Sequence, residues 1–242
     1  VKREVVADGP LQLRIRSEWK IASKSTITQD MVFHANSPRI TFETVLDWND
    51  KHQLLKTSFP VNIHAEQARH EMQFCHTERP AHRNYPQDRA QFEVACHKWT
   101  DLSDEGFGVA ILNDCKYGIG VNGSDIRLTL MKSGTHPDPR ADAGRHEFTY
   151  EFLPHQKGFS VEEVVRPAYE LNVPINVLTT RENGLLPRAP FHFESDSVIV
   201  EAVKWAEEDK AFVIRLYEAG RRRSRVSLRF DESICEVLHT NM

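Results

Sequence analysis

The chain has 242 residues, 31 Lys and Arg against 35 Asp and Glu, and a net charge of −4. That near balance excludes the basic surface that nucleic acid would select, and no run nears the roughly 20 apolar residues that span a bilayer, so neither nucleic acid nor a membrane is an expected partner. A hydrophobic fraction of 40% suffices for the core of one large β domain or two smaller ones.

The chain enters a strand pattern at once, in VKREVVADGPLQLRIRSEW, and Leu11, Leu13 and Ile15 share one face. It carries no apolar signal run there, and it stops straight after the strand-like ICEVLH. Both ends read as cuts from a longer, cytoplasmic protein. Ile40 and Phe42 alternate with Thr41 and Glu43, and a loop is expected over residues 76–87. Phe92, Val94 and Cys96 alternate with Glu93 and Ala95. The run GVAILNDCKYGIG (108–120) then passes from a buried apolar strand into Asn113, Asp114, Cys115, Lys116 and Tyr117. Ile126, Leu128 and Leu130 follow, then a loop over 133–144, then Phe148, Tyr150 and Phe152. Ser160 before Glu162 and Glu163 caps a helix over 161–171, which Pro167 interrupts. A Gly-, Pro- and Arg-containing loop over 179–190 divides a large part, 1–180, from a smaller C-terminal β part, 181–242. In the second part, residues 198–205 and 211–217 form a hairpin around Glu207, Glu208 and Asp209, and 227–230 and 234–238 add short strands. Many alternating strands with almost no helix predict an all-β sandwich of antiparallel sheets.

The twelve histidines include His64, His70, His146 and His155, but there is no HExxH and no close set with zinc-like spacing, so no metal ligand is assigned. There is no GxSxG, and Cys75, Cys96, Cys115 and Cys235 form no CxxC pair and read as reduced thiols. Asp101, Asp104, Glu105, Asp138 and Asp142 read as turn formers, and the basic run Arg221–Arg223, Ser224 and Arg225 as a solvated turn. Trp19, Trp48, Trp99 and Trp205 all fall in strand patterns and are expected to pack in the core.

Four segments in order carry a resemblance: LLKTSFPVNI (54–63), HEMQFCHTERPAHRN (70–84), FEVACHKWTDLSDEGFGVAILNDCKYG (92–118) and IRLTLMKSGTHPDPRADAGRHEFTYEFLPH (126–155). Together they resemble the C-terminal β region of glycoside hydrolase family 38, the class II α-mannosidases, in its cytosolic and bacterial branch. The resemblance is strongest over 42–155 and continues more weakly to the end. It implies a large supersandwich of the galactose-mutarotase-like class. It also implies a parent that is a zinc-dependent, retaining exo-hydrolase of α-mannosides. The nucleophile, the acid/base and the zinc would belong to an N-terminal catalytic barrel, joined by a helical bundle. Those parts and a mannoside or oligosaccharide substrate are the implied partners. No catalytic residue, metal ligand or cofactor is carried onto this chain, which is expected to be inactive alone.

On this reading the NDCKYG turn faces the barrel. Asn113, Asp114, Lys116 and Tyr117 are the first substrate-binding candidates, and His82, Asn84 and His146 the second. The other reading has them buttress turns and the domain interface. Arg140 and Arg145 receive no role. A different function class also stands: a free-standing carbohydrate-binding or mutarotase-like sandwich. An epimerase of that kind would need a histidine acid and a carboxylate base converging in its own groove.

Overall fold

The computed structural model describes residues 1–177, 179, 189–207, 211–231 and 233–240. About 51% of the chain is strand and 8% helix. It divides into two units, Val1–Pro174 and Ile175–Met242.

In the first unit the strands are β1 (Lys2–Asp8), β2 (Gln12–Ile21), β3 (Ser25–His34), β4 (Ile40–Trp48), β5 (Leu54–Pro60), β6 (Gln67–Met72), β7 (Cys75–Pro80), β8 (Val94–Ala95), β9 (Trp99–Ser103), β10 (Phe107–Asn113), β11 (Gly118–Asn122), β12 (Asp125–Lys132) and β13 (Gly144–Gln156). Nine of them make one antiparallel sheet in the order β1-β2-β3-β4-β13-β10-β9-β6-β7, and four make a second in the order β5-β12-β11-β8. Side chains alternate along each strand, so each sheet has two chemically separate faces. Leu46, Trp48, Leu102, Val109, Ile111, Phe148 and Tyr150 of the large sheet meet Ile119, Ile126, Leu128 and Leu130 of the small one in a single buried cluster. This is a sandwich core with two inner faces interdigitated.

The large sheet's other face is also covered over its middle. A wide π-helical turn, Val161–Val165, runs into α2 (Arg166–Asn172), and Val161, Val164, Val165 and Ala168 are buried. They lie over the face that carries Trp99, Ala110, Leu112 and Leu153. Ser160 caps the turn by accepting the Glu163 amide at 3.1 Å. Pro167 sits in the first turn of α2, where its missing N–H costs nothing, and the wider π turn absorbs the interruption.

Several local expectations differ from the structure. The segment read as a loop contains β7 and the short helix α1 (Pro86–Ala90). Asp101 lies within a strand and is completely buried. Thr41, on the face opposite Ile40 and Phe42, is buried and donates to Glu151 at 2.8 Å. Leu11 is exposed, being outside β2.

In the second unit, β15 (Val198–Trp205) and β16 (Phe212–Glu218) form the expected antiparallel hairpin, part of whose turn falls outside the described residues. A short pair, β14 (His192–Glu194) and β17 (Ser227–Arg229), makes the other sheet. Residues 234–238 form no strand. Trp205 is exposed at 70% and meets Phe212 edge-on at 5.4 Å, a hairpin-end pair and not a core residue. The loop expected over 179–190 falls largely outside the described residues. All four cysteines carry free thiols.

Candidate functional sites at the two ends of strand β10

Strand β10 is buried along its length except at Phe107, and its ends lead to two polar constellations. At the C-terminal end, Asn113 is wholly buried and spends its side chain on the turn. Its Nδ2 donates to the His97 carbonyl at 2.7 Å, and its Oδ1 accepts the Lys116 amide at 2.7 Å. Asn172 of α2 reaches across to the Asn113 carbonyl at 3.0 Å. Asp114 anchors the turn to β13, its Oδ2 accepting the Thr149 amide at 2.8 Å. Burial and the Asp114 carboxylate push the Cys115 thiol up to about 11, so it stays protonated at neutral pH.

These bonds hold up two side chains that the turn does not use. Lys116, half-buried, places its Nζ 4.2 Å from the centroid of the Phe148 ring, a cation–π contact. Tyr117 is 52% exposed, and its ring stands 5.5 Å from the His97 imidazole. Gly120 follows because the neighbouring backbone is too close for a side chain. A Cβ at Gly120 would sit 2.5 Å from the Phe92 carbonyl oxygen.

The second group of candidates divides. His146 lies on β13 on the same face as Phe148, two residues away or about 7 Å along the strand, and its Nε2 bonds the Asp142 carbonyl at 2.8 Å. His82 and Asn84 follow β7, where the Ala81 carbonyl accepts from Gly123, beyond the far end of β11. That end lies about 13 Å along the strand from Gly118. His82 Nδ1 is 3.3 Å from Asp88, and Asn84 is exposed. The structure leaves His82 and Asn84 at the far end of β11 from the NDCKYG turn.

The N-terminal end of β10 carries a cluster that pattern reading missed. His155 of β13 is opposite Gly108, and its Nε2 lies 2.7 Å from Asp101 Oδ1, with both side chains buried. Ser103 donates to the other Asp101 oxygen at 2.8 Å, and Arg69 approaches it at 3.8 Å. Gly108 makes room for the imidazole, since a Cβ there would sit 2.1 Å from His155 Cε1. Burial is the largest single influence on His155 and presses its pKa down, but the bond to Asp101, the Asp101 charge, the Gln156 backbone and Glu163 together leave it raised. The ring's Nδ1 is shut off from solvent and stands 3.9 Å from Glu163 Oε2. A cleft of about 530 Å³ opens beside this pair. The sequence carried little signal for it, because Asp101 of β9, Gly108 of β10 and His155 of β13 become neighbours only in the order of the sheet.

Among the described residues no group of three or more His, Cys, Asp or Glu could hold a metal ion. Nor is any described helix long and apolar enough to cross a membrane.

Comparison with known proteins places these features in context. The family model described as "Glycosyl hydrolases family 38 C-terminal domain" matches residues 1–140, and "Glycosyl hydrolases family 38 C-terminal beta sandwich domain" matches residues 197–242. Alpha-mannosidase 2C1 of Homo sapiens is 41% identical over 210 residues, covering 84% of this chain and 20% of that protein. Alpha-mannosidase G of Dictyostelium discoideum is 37% identical over 227 residues, covering 89% of this chain and 21% of that protein. The chain thus spans about a fifth of the length of these relatives. A solved glycosyl hydrolase family 38 protein from Enterococcus faecalis shares the fold with a TM-score of 0.80 at 17% identity, covering 95% of this chain and 32% of that one.

Proposed function

This chain belongs to glycosyl hydrolase family 38 as a C-terminal region, and from that premise we propose that it is the supporting and pocket-completing part of a zinc-dependent, retaining α-mannosidase that removes terminal α-linked mannose. The observation that carries the reading is the identity, over most of this chain, to proteins named alpha-mannosidases of which it spans about a fifth. The zinc, the nucleophile and the acid/base belong to the rest of such a protein, a preceding barrel and helical bundle. The chain alone is inert. A cytoplasmic location is part of the same reading and follows the resemblance to the cytosolic branch.

In this proposal the turn after β10 is the chain's contribution to the pocket. Asn113 and Asp114 fix the backbone, and Lys116 and Tyr117 do the contacting. Lys116 offers an ammonium to a sugar oxygen, and Tyr117 offers a ring to an apolar sugar face and a hydroxyl to its edge. His146 of β13 is a further candidate in the same proposal. A rigid strand end suits this task, because a site held on regular structure keeps its geometry when the substrate arrives. The test is Lys116→Ala and Tyr117→Phe in the whole enzyme, with an aryl α-mannoside as substrate and melting temperatures beside the rates. A lost charged hydrogen bond costs about 1.5–3 kcal/mol, so kcat/KM for Lys116→Ala falls roughly ten- to a hundredfold with little change in Tm. Unchanged kcat/KM in both variants would return the turn to a purely structural role.

A further inference from the structure

The segment Cys96, His97 and Lys98 runs beside the NDCKYG turn and is fixed to it by its backbone. Cys96 donates its amide to the Tyr117 carbonyl at 2.9 Å, and the Lys98 carbonyl accepts the Asn113 amide at 2.9 Å. His97 donates its own amide to the Glu71 carbonyl of β6 at 3.1 Å, and its carbonyl accepts Asn113 Nδ2 at 2.7 Å. The oxygen of that same Asn113 side chain takes the Lys116 amide at 2.7 Å. One buried amide group therefore ties the backbone of His97 to the backbone of Lys116.

The three side chains of the segment differ in what they do. Cys96 is wholly buried. Lys98 pairs with Glu71 at 3.0 Å and lies 4.6 Å over the Tyr169 ring, so its ammonium is already engaged. His97 is partly exposed, and its ring meets the Tyr117 ring at 5.5 Å, tilted by 43°. His70 and His155 spend a ring nitrogen on Thr100 and Asp101, but among the described residues no group bonds either nitrogen of His97. Nor is either of them shut off from solvent. A side chain whose backbone is held from β6, β10 and the turn, yet whose polar atoms are open and unused, is preorganised to meet something outside this chain.

The chemistry of the neighbours says what that is. Lys116 can only donate, whereas an imidazole nitrogen donates or accepts according to its proton. A sugar hydroxyl does both, so it bonds the ring in either state. Resting on the pocket reading above, we propose that His97 is a further substrate-binding residue of the turn, one ring nitrogen bonding a hydroxyl of the mannoside whose apolar face lies on Tyr117. His97 and Tyr117 then form the two sides of an aromatic corner, and Lys116 supplies the cation beside it.

The test uses the intact parent enzyme and an aryl α-mannoside, with melting temperatures beside the rates. His97→Phe keeps a ring against Tyr117 and removes both nitrogens. His97→Gln keeps a donor and an acceptor and removes the ring. Every bond that fixes position 97 is made by backbone atoms of that residue, so both variants keep the segment in place. The expected result is a KM raised about fivefold in His97→Phe with kcat within about twofold and Tm unchanged, the size of one lost neutral hydrogen bond made equally in ground and transition states. His97→Gln recovers part of that loss. His97→Phe performing as well as or better than His97→Gln would overturn the proposal, because the ring would then serve only to prop Tyr117. Lys116→Ala assayed alongside separates the two possible failures. A fall in kcat/KM there with both His97 variants unchanged rejects His97 alone, and no change in any of the three rejects the pocket reading and this proposal together.

Discussion

His70 and His155 are both buried and answer burial in opposite ways. His70 faces the sandwich core, with its Nδ1 2.9 Å from the Thr100 hydroxyl, and burial with Arg79 nearby pulls its pKa down to about 4. His155 faces Asp101 and is raised. The signs follow by linkage. His70 has a folded pKa below its unfolded value of about 6.5, so the unfolded chain binds its proton first, and stability is lost as pH falls from there toward about 4. That loss is about 3 kcal/mol when complete. His155 contributes stability that is present below about 6.5 and disappears as pH rises through its folded value. An imidazole NMR titration should show His70 neutral down to about pH 5 and His155 still partly protonated above 6.5. The two shifts with the same sign would contradict this. Asn113 allows a second prediction at this scale. Asn113→Ala removes two side-chain bonds at 2.7 Å in a fully buried place and should cost about 2–3 kcal/mol by urea unfolding, where Lys116→Ala costs under about 1. Equal losses would mean that Lys116 is as structural as Asn113. None of this was legible in the letters NDCKYG, since Asn, Asp, Lys and Tyr suit a turn and a sugar equally. Only the count of bonds each side chain makes tells the anchors from the free groups.

At the scale of elements, the wing of β2, β3 and β4 is held by a charge ladder on its outer face. Asp30 of β3 is 7% exposed and receives Arg16 Nε at 2.7 Å and Arg14 at 2.9 Å, while Arg14 also pairs with Glu43 of β4. The Arg16 bond chiefly holds the Asp30 carboxyl below the usual range, so its share of stability is present above the unfolded value and lost as pH falls. Asp30→Ala leaves two guanidinium groups without their shared anion, but Arg16 is 41% exposed and Arg14 keeps Glu43, so the loss should be about 1–2 kcal/mol, read as a lower urea midpoint. A change within 0.5 kcal/mol would show the ladder to be merely solvated. Strands such as β4, β12 and β13 were legible because period-2 alternation records one buried face. β7 was not: its covered residue His76 packs on Trp99 and Phe159 at 5.6 and 4.9 Å, so a polar letter occupies a core position. The apolar letters of residues 234–238 misled in the other direction, since they pair with no strand.

For the whole molecule, the sandwich was legible because strand density and the ordered segments pointed to the same architecture, and two inner faces of alternating residues do meet in one core. The cleft beside His155 was not, because Arg39, Phe107, His155 and Glu163 come together only after four separate elements pack. The division of labour proposed for the parent enzyme makes the most exposed claim: this sandwich carries pocket and support, and the chemistry lies in the rest of the protein. The direct measurement is hydrolysis of an aryl α-mannoside by the purified 242-residue chain, assayed beside the intact gene product at equal concentration. The account predicts no release above blank from the chain and turnover from the intact protein. Turnover by the chain alone, or none by the intact protein, would contradict it.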